Sequence, residues 1–261
     1  RIESKPDINE LSHYLFQLGH EHEIENNTFN IEFPPNRGDC LSINGILRDL
    51  AVFYEVNSNQ ETYEHDLNKL DLDFVNNASD ACHQISFLKI EIEDDTLPYQ
   101  GVFNNYFYDL NLNKNNFFTD ISNYISYETG QPTHCYDFHK IKGGLSLKHI
   151  NNEQAFETLL DKTINLTGSN LVFSDDEGVI NLAGVVGSKN TACNAKTRTV
   201  LVECAYFNPE DIIGKSIKYS IQSEAAHKFE RNIDPKTQKN TLKRFLRIVD
   251  EHAKTNHDHS F

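Results

Sequence analysis

The 261-residue sequence contains no methionine and no long hydrophobic run. Its apolar runs, such as Val200 to Val202, are far shorter than the roughly 20 residues that a membrane-spanning helix needs. No segment resembles a signal peptide. We therefore expect a cytoplasmic protein that does not contact a membrane. Because methionine is absent even at position 1, we also expect a processed, trimmed or incomplete chain.

Basic residues are scarce relative to acidic ones. The chain has 24 Lys and Arg against 39 Asp and Glu, which gives a formal net charge of -15. A surface that binds nucleic acid broadly neutralises phosphates with clustered Lys and Arg, so this balance argues against such a surface. A local basic groove remains possible, and the densest basic stretch near a candidate site contains Lys215, Lys218, Lys228 and Arg231.

Cysteine is also infrequent, and its pattern argues against a disulfide framework. The five cysteines are an odd number without a CxxC pair, which is typical of a reduced compartment. Cys135 beside His134 could indicate a metal ligand pair or a Cys/His nucleophile. The other cysteines are too scattered to complete a zinc site by spacing, so we expect no metal and no covalent nucleophile.

Helical and alternating patterns both occur, which predicts an α+β fold. A first helix starts at the cap residue Asp7, and a second follows Ser42. Residues 57–83 are rich in Asn, Asp and Glu, which is typical of a linker. Alternation resumes at 85–93 and continues in later strands up to a final helix after Asp234.

The stretch Thr119 to Asp137, TDISNYISYETGQPTHCYD, predicts a short helix followed by a polar turn. Asp120 can cap the helix, and Gly130 can end it in the left-handed conformation. The turn then presents His134, so Asn123 and His134 would lie on two sides of one corner and could hold a water or a small polar group. A structural histidine with satisfied hydrogen bonds is the simpler alternative.

The strand RTVLVECAYF contains a carboxylate among aliphatic neighbours. Alternation places Leu201, Glu203 and Ala205 on one face. Burying a carboxylate without partners is costly, so Glu203 requires an explanation. It either accepts backbone amides for a structural reason or faces a cavity and binds a ligand.

The segment LAGVVGS brings two glycines to the end of a hydrophobic strand. Gly184 and Gly187 have no side chain, so a ligand or another part of the backbone can approach them closely. They belong to no GxGxxG phosphate loop, and no P-loop lysine follows them. Ordinary turn geometry is the alternative explanation.

Together these motifs resemble those of one family. NRGDCLS and GILRDLA are similar to the B1 module of the β subunit of bacterial phenylalanyl-tRNA synthetase. NYISYETGQPTHCYD, LAGVVGS, VLVECAYFNPEDI and SEAAHKFERNIDP are similar, in order, to its B3/B4 editing module. The resemblance implies a winged-helix-like B1 module at 1–66, a linker at 67–83 and a B3/B4 domain at 84–261. The B3/B4 fold, a β-sandwich core with flanking helices, is otherwise known from lysidine synthetase.

The resemblance also implies a function, the hydrolysis of tyrosine wrongly esterified to the phenylalanine tRNA. Glu203 would accept the tyrosine hydroxyl, and His134 with Asn123 would order the attacking water. Three small residues would leave space for the ring and the terminal adenosine: Gly184, Gly187 and Ala225. Editing would need no cofactor, since ATP and Mg²⁺ serve only the full synthetase. The partners would be the phenylalanine tRNA and, in a heterotetramer, the α subunit.

The sequence departs from the family pattern at two places, and the first of these, together with the acidic surface, supports an alternative function. The segment NKNNFF replaces a Gly-x-Arg-Pro-Ile-Asn run, and Ser188 replaces the second glycine of a Gly-Gly pair. The regions that resemble catalytic and anticodon-binding modules are also missing, so we expect no aminoacylation by this chain alone. The alternative function is a scaffold that binds the α subunit or tRNA and has lost editing.

Overall fold

The computed structural model describes residues 6–56, 62–63, 68–93 and 95–255. Helices and strands are mixed along these residues, which confirms the predicted α+β class. A small part with two helices and one β-hairpin precedes a larger part that is built on two sheets. No helix within the described ranges is long and apolar enough to cross a membrane.

The small part begins with a helix that is capped as the sequence predicts. Asp7 accepts hydrogen bonds from two backbone amides of the first turn, and Ser42 caps the second helix by accepting from one. Between the helices lies a β-hairpin, and its second strand falls where Phe29 and Ile31 alternate with polar residues. Its two-residue turn is formed by Asn26 and Asn27, which both have positive φ. The elements are α1 (Ile8–Gln17), β1 (Glu21–Glu25), β2 (Thr28–Glu32) and α2 (Ile43–Leu50).

The larger part is a β-sandwich. Its three-stranded sheet contains, in spatial order, β4 (Gln84–Glu91), β12 (Thr199–Tyr206) and β5 (His134–Asp137). Its five-stranded sheet contains, in spatial order, β11 (Val186–Gly187), β10 (Val179–Leu182), β9 (Asn170–Ser174), β6 (Leu145–Ile150) and β3 (Phe74–Asn76). A separate hairpin is formed by β7 (Gln154–Glu157) and β8 (Thr163–Leu166). Buried residues of both main sheets form one hydrophobic cluster, which is the sandwich core.

Helices pack on the outer face of the three-stranded sheet. They bury a second hydrophobic cluster there. Two of these helices are α4 (Phe117–Thr129) and α8 (Gln238–His252), and an ion pair with two hydrogen bonds joins them, between Glu128 and Arg244. The remaining helices are α3 (Gly101–Asp109), α5 (Pro209–Ile212), α6 (Lys215–Tyr219) and α7 (Glu224–Phe229).

The central strand β12 is buried on both faces. Leu201 and Ala205 belong to the sandwich core, whereas Val200 and Val202 belong to the cluster beneath the helices. This division confirms the two faces predicted from the alternation of the strand. Because Glu203 alternates with Leu201 and Ala205, its side chain lies on the sandwich side of the sheet.

Part of the predicted linker belongs to the sandwich. β3 lies within 67–83 and pairs in parallel with β6, and Ala78 and Cys82 are buried in the sandwich core. The prediction that this segment is only a linker is therefore wrong for its second half. The sequence did not reveal the strand, because three residues are too few to show a clear alternating pattern. The division into 1–66, 67–83 and 84–261 otherwise stays a prediction.

The helix α4 begins earlier than the sequence predicts. Asn116 is its N-cap, whereas Asp120, the predicted cap, lies fully buried in the first turn. There the Asp120 carboxylate accepts a hydrogen bond from the Tyr99 hydroxyl at 2.8 Å. Gly130 ends the helix with a φ of 79°, as predicted.

Candidate functional site

The pairing of β5 with β12 brings the predicted histidine and glutamate together. In the antiparallel register His134 lies directly opposite Glu203. Opposed residues project to the same face of a sheet, with Cβ atoms about 4.5–5.5 Å apart. The prediction that His134 lies in a polar turn is therefore wrong, because His134 is the first residue of β5. Pro132 favours an extended conformation for the residue before it. The residues after it remain extended because they pair with the edge of β12.

Glu203 is buried between the two sheets, with 3% of its surface exposed. Burial raises the pKa of its carboxyl to about 8, against a smaller lowering by a hydrogen bond from Tyr136. The Tyr136 hydroxyl donates to Oε2 of Glu203 at 3.3 Å, and Nδ2 of Asn181 donates to the same hydroxyl at 2.8 Å. At neutral pH the carboxyl is therefore mostly protonated and can both donate and accept a hydrogen bond.

His134 is neutral and has an unused ring nitrogen. Burial lowers the pKa of the imidazole to about 4. The ring packs edge-on against Tyr136, with centroids 4.4 Å apart. Among the described residues Nε2 of His134, which is buried, has no hydrogen-bond partner. Since an unpaired buried polar atom costs about 1–3 kcal/mol, this nitrogen marks a position suited to a water or a ligand atom.

His134 and Glu203 line one cavity of about 50 Å³. Five of the six predicted site residues line it: His134, Gly184, Gly187, Glu203 and Ala225. A cavity needs only about 10–15 Å³ to hold a water, whereas a cavity of about 150 Å³ is known to bind benzene. The cavity as it stands can therefore hold water, but a phenol ring enters only if surrounding side chains move.

The two glycines give space to protein side chains. A Cβ on Gly187 would lie 2.3 Å from Cε1 of His134. A Cβ on Gly184, which has a φ of 70°, would lie 2.9 Å from Cδ1 of Ile212 and 3.0 Å from Cδ2 of Phe207. Part of the space expected for a ligand is thus filled by the protein itself, and His134 can occupy its position only beside a glycine.

Asn123 lies apart from this cavity. It is exposed on α4 and is absent from the residues that line the cavity. Because Tyr124 and Ile125 turn their side chains into the core, helical geometry turns Asn123 outward. Ser122 instead faces the strand, and its hydroxyl donates to the carbonyl of Thr133 at 2.7 Å. The prediction that Asn123 shares a corner with His134 is therefore wrong.

Two polar residues of the site were not predicted, although both leave a signal in the sequence. Tyr136 lies two residues after His134, and residues i and i+2 of a strand share a face. Asn181 is a polar residue inside the hydrophobic segment VINLAGVV, and it is 3% exposed. A buried amide requires partners, so its presence in a strand indicates a polar contact in the core.

Cys135 points away from the cavity. It belongs to the hydrophobic cluster beneath the helices, and its thiol lies 3.5 Å from the carbonyl of Phe118. Burial raises the pKa of the thiol well above its ordinary value. A buried, protonated thiol is a poor nucleophile, so this environment suits a structural role.

A cluster of metal-ligand residue types lies in the small part of the chain. Ligand atoms of His20, Cys40 and Asp49 lie within 4.8 Å of one another. The guanidinium of Arg37 contacts both Cys40, at 2.6 Å, and Asp49. A positive charge therefore already lies among these side chains, and an ion-pair network explains the cluster better than a metal does.

A larger, mostly apolar groove of about 830 Å³ lies between the small part and α7. Its floor includes Lys228, which belongs to the basic stretch noted in the sequence. Lys228 is 8% exposed, and its ammonium donates to the carbonyl of Ser126 at 2.6 Å. Burial lowers the pKa of Lys228 to about 8. This lysine is therefore poorly placed to bind an RNA phosphate.

Comparison with known proteins agrees with the resemblance predicted from the sequence. A family model described as the B3/4 domain matches residues 104–254. The phenylalanine-tRNA ligase β subunit of Francisella tularensis is 31% identical over 233 residues, which are 88% of this chain and 29% of that protein. The corresponding subunit of Psychrobacter arcticus is 29% identical over 219 residues, 81% of this chain and 27% of that protein.

A solved structure is also similar, an N-terminal fragment of the phenylalanyl-tRNA synthetase β subunit from Pyrococcus horikoshii. It shares 16% identity, covers 78% of this chain and 64% of its own, and has a TM-score of 0.40. This chain spans less than a third of the length of the curated relatives that it matches. The extent of the family-model match decides the assignment: the chain belongs to the B3/4 domain family.

Proposed function

We propose that this chain is the editing region of a phenylalanyl-tRNA synthetase β subunit and hydrolyses tyrosine esterified to the phenylalanine tRNA. The observation that carries the proposal is the opposition of His134 and Glu203 across β5 and β12, with both side chains on one cavity. Perturbed titratable groups that meet in a cavity are typical of a functional site. The tRNA, an α-subunit partner and a cytoplasmic location are parts of the same proposal.

In this proposal Glu203 selects the substrate. A site built to hydrogen-bond a hydroxyl rejects an analogue without that hydroxyl far better than an apolar pocket rejects a larger ring. A mostly protonated carboxyl, as the raised pKa of Glu203 implies, can accept a hydrogen bond from the phenol hydroxyl or donate one to the phenol oxygen. Phenylalanine would leave this buried carboxyl without a new partner, so its ester would be cleaved slowly.

His134 positions the attacking water. Its unpaired Nε2 can accept a hydrogen bond from a water in the cavity, since the lowered pKa keeps the ring neutral. The water oxygen attacks the ester carbonyl, the bond between that carbon and the ribose oxygen breaks, and the ribose oxygen takes a proton. A group with so low a pKa is a weak base, so positioning is its main contribution. Asn123 has no part in this step, because it is exposed away from the cavity.

The proposal requires the cavity to widen. At about 50 Å³ it is smaller than a phenol ring, and Phe207, Phe229 and Val186 are among the side chains that close it. Side-chain rotamer changes are common when partners bind, and such changes would supply the widening.

One observation favours a second candidate, a scaffold without editing activity that binds the α subunit or tRNA. Glu203 already accepts a hydrogen bond from Tyr136 inside the fold, and the cavity is small. A carboxyl that serves only to pair with Tyr136 would need no ligand.

A deacylation assay with enzyme in excess over Tyr-tRNA separates the two candidates. We expect the wild-type chain to release tyrosine, and we expect Glu203→Ala and His134→Ala to lower the rate by at least about 100-fold, as when a positioned catalytic group is removed. The matched variant Cys135→Ala, which lies beside His134 but faces the other core, should retain the rate. An ester that stays intact with the folded wild-type chain would favour the scaffold.

A further inference from the structure

A chain of polar contacts crosses the sandwich from one sheet to the other. Asn181 on β10 donates to the hydroxyl of Tyr136 on β5, and this hydroxyl donates to Glu203 on β12. All three side chains are at most 3% exposed. Polar groups at this depth are stable only when they are hydrogen-bonded to each other or to a ligand.

The chemistry of the groups fixes the direction of the chain. Nδ2 of Asn181 is only a donor, so the Tyr136 oxygen accepts from it and the single phenol proton is directed to Oε2 of Glu203. Within the described residues this is the hydrogen bond that the Glu203 carboxyl receives. Oε2 is therefore the accepting oxygen, and a neutral Glu203 carries its proton on Oε1, the oxygen left for a ligand.

Among the residues that the structure describes, desolvation and the Tyr136 hydrogen bond are the influences on the Glu203 carboxyl, and no charged group orients it. Four groups that interact with it electrostatically are neutral, because burial raises the pKa of each one: Cys82, Cys135, Tyr136 and Cys204. The opposed His134 is neutral as well, since burial lowers its pKa to about 4. The orientation of the carboxyl therefore depends on the Tyr136 hydroxyl.

We propose that Tyr136, held by Asn181, is a positioning residue that determines specificity: it fixes Oε2 of Glu203 and reserves Oε1 for the hydroxyl of a tyrosyl ester. The proposal rests on the proposed editing function. It explains why residue 136 is a tyrosine. A phenylalanine would fill nearly the same volume of the core without burying a polar atom. Without the Tyr136 hydroxyl, Glu203 can rotate and can present either oxygen.

The first test compares Tyr136→Phe with Tyr124→Phe. Tyr124 is a matched control, since its hydroxyl also donates to a carboxylate, that of Glu128 at 2.7 Å, but lies outside the cavity. We expect Tyr136→Phe to lower the ratio of kcat/KM for Tyr-tRNA over Phe-tRNA by about threefold to tenfold, the net contribution of one hydrogen bond. Tyr124→Phe should leave the ratio unchanged. If Tyr136→Phe fails to fold, Asn181→Leu, which frees the Tyr136 hydroxyl, should lower the ratio in the same direction.

The second test observes Glu203 directly, whether or not the chain is active. In a ¹³C NMR titration of Glu-labelled protein, the Glu203 carboxyl is assigned by its absence in Glu203→Gln. The Tyr136 hydrogen bond favours the charged carboxylate, so Tyr136→Phe should move the Glu203 midpoint to higher pH, while Tyr124→Phe should not.

The outcomes separate failure of this inference from failure of the proposed function. If Glu203→Ala abolishes cleavage of the tyrosyl ester but Tyr136→Phe changes neither the selectivity ratio nor the titration of Glu203, the role of Tyr136 is overturned and editing stands. If the wild-type chain leaves the ester intact, the proposed function and the specificity claim both fall. If Tyr136→Phe still shifted the Glu203 titration in that case, the contact of Tyr136 with Glu203 would be only structural.

Discussion

His134 and Glu203 lie directly opposite each other on neighbouring strands, although they are 69 positions apart in the sequence. Burial shifts their pKa values in opposite directions and leaves both side chains neutral near pH 7. A neutral acid and a neutral imidazole on one cavity can each donate and accept hydrogen bonds. This pair is the physical basis for the first three predictions below.

The first prediction concerns Gly187→Ala. The new methyl group would overlap Cε1 of His134 at 2.3 Å, so the imidazole must leave its position. We expect the deacylation rate to fall about as far as in His134→Ala, because both variants remove the ordered ring. Gly144→Ala is the comparison, since its methyl group would meet mainly the carboxylate of Asp73, the end of a flexible side chain. Full activity in Gly187→Ala would show that the position of His134 is unimportant.

The second prediction concerns stability and pH. The Glu203 carboxyl has a pKa of about 8 in the folded chain and an ordinary value of 4.5 when unfolded. Between these values the folded state holds one more proton than the unfolded state, so the free energy of unfolding falls as pH rises from about 4.5 to 8 and then levels off. Urea denaturation at pH 5 and pH 8 measures this loss. Glu203→Gln should lose less stability than wild type over that range, and equal losses would place Glu203 in a solvated site.

The third prediction concerns the pH profile of deacylation. Because the pKa of His134 is lowered to about 4, the imidazole stays neutral on acidification from pH 7 to pH 5.5. We therefore expect no step in the rate near pH 6.5, the ordinary value for histidine. Single-turnover deacylation rates measured from pH 5.5 to pH 7 would test this expectation. A step centred at 6.5 that disappears in His134→Gln would mean that the ring is solvated.

The fourth prediction concerns the ion pair that joins α4 and α8. Arg244 makes two hydrogen bonds to Glu128, at 2.8 and 2.9 Å, and its side chain is 12% exposed. Arg244→Met leaves the Glu128 carboxylate poorly solvated, so we expect a loss of about 3 kcal/mol in the free energy of unfolding. Arg247→Met, which removes an exposed pair with Glu251, should cost less than about 0.5 kcal/mol. Similar losses in the two variants would contradict the burial of the first pair.

Local patterns in the sequence predicted the elements that depend on local physics. The caps Asp7 and Ser42 were predicted because each side chain accepts hydrogen bonds from backbone amides of its own first helical turn. The helix end at Gly130 was predicted because glycine readily adopts the left-handed conformation that ends a helix. The faces of β12 were predicted because alternation alone decides which side a residue occupies. The burial of Glu203 follows from the same alternation.

The errors concern features that depend on distant parts of the chain. β3 is a strand only because β6 lies beside it, and His134 is in a strand only because β12 offers an edge. Asn123 was predicted to lie beside His134 because the sequence was interpreted as a helix and a polar turn that form one corner, whereas His134 belongs to β5. The contact between Tyr136 and Asn181 joins two sheets, so no pattern within either strand could reveal it.

The most direct test compares two substrates. The wild-type chain is mixed in excess with tyrosine esterified to the phenylalanine tRNA and, separately, with phenylalanine esterified to the same tRNA. The first-order rates of ester loss are measured at one pH. A carboxyl that selects a hydroxyl predicts a Tyr-tRNA rate at least about 100-fold above the Phe-tRNA rate, with the difference lost in Glu203→Ala. Equal rates for the two esters, or no cleavage of either, would contradict the account.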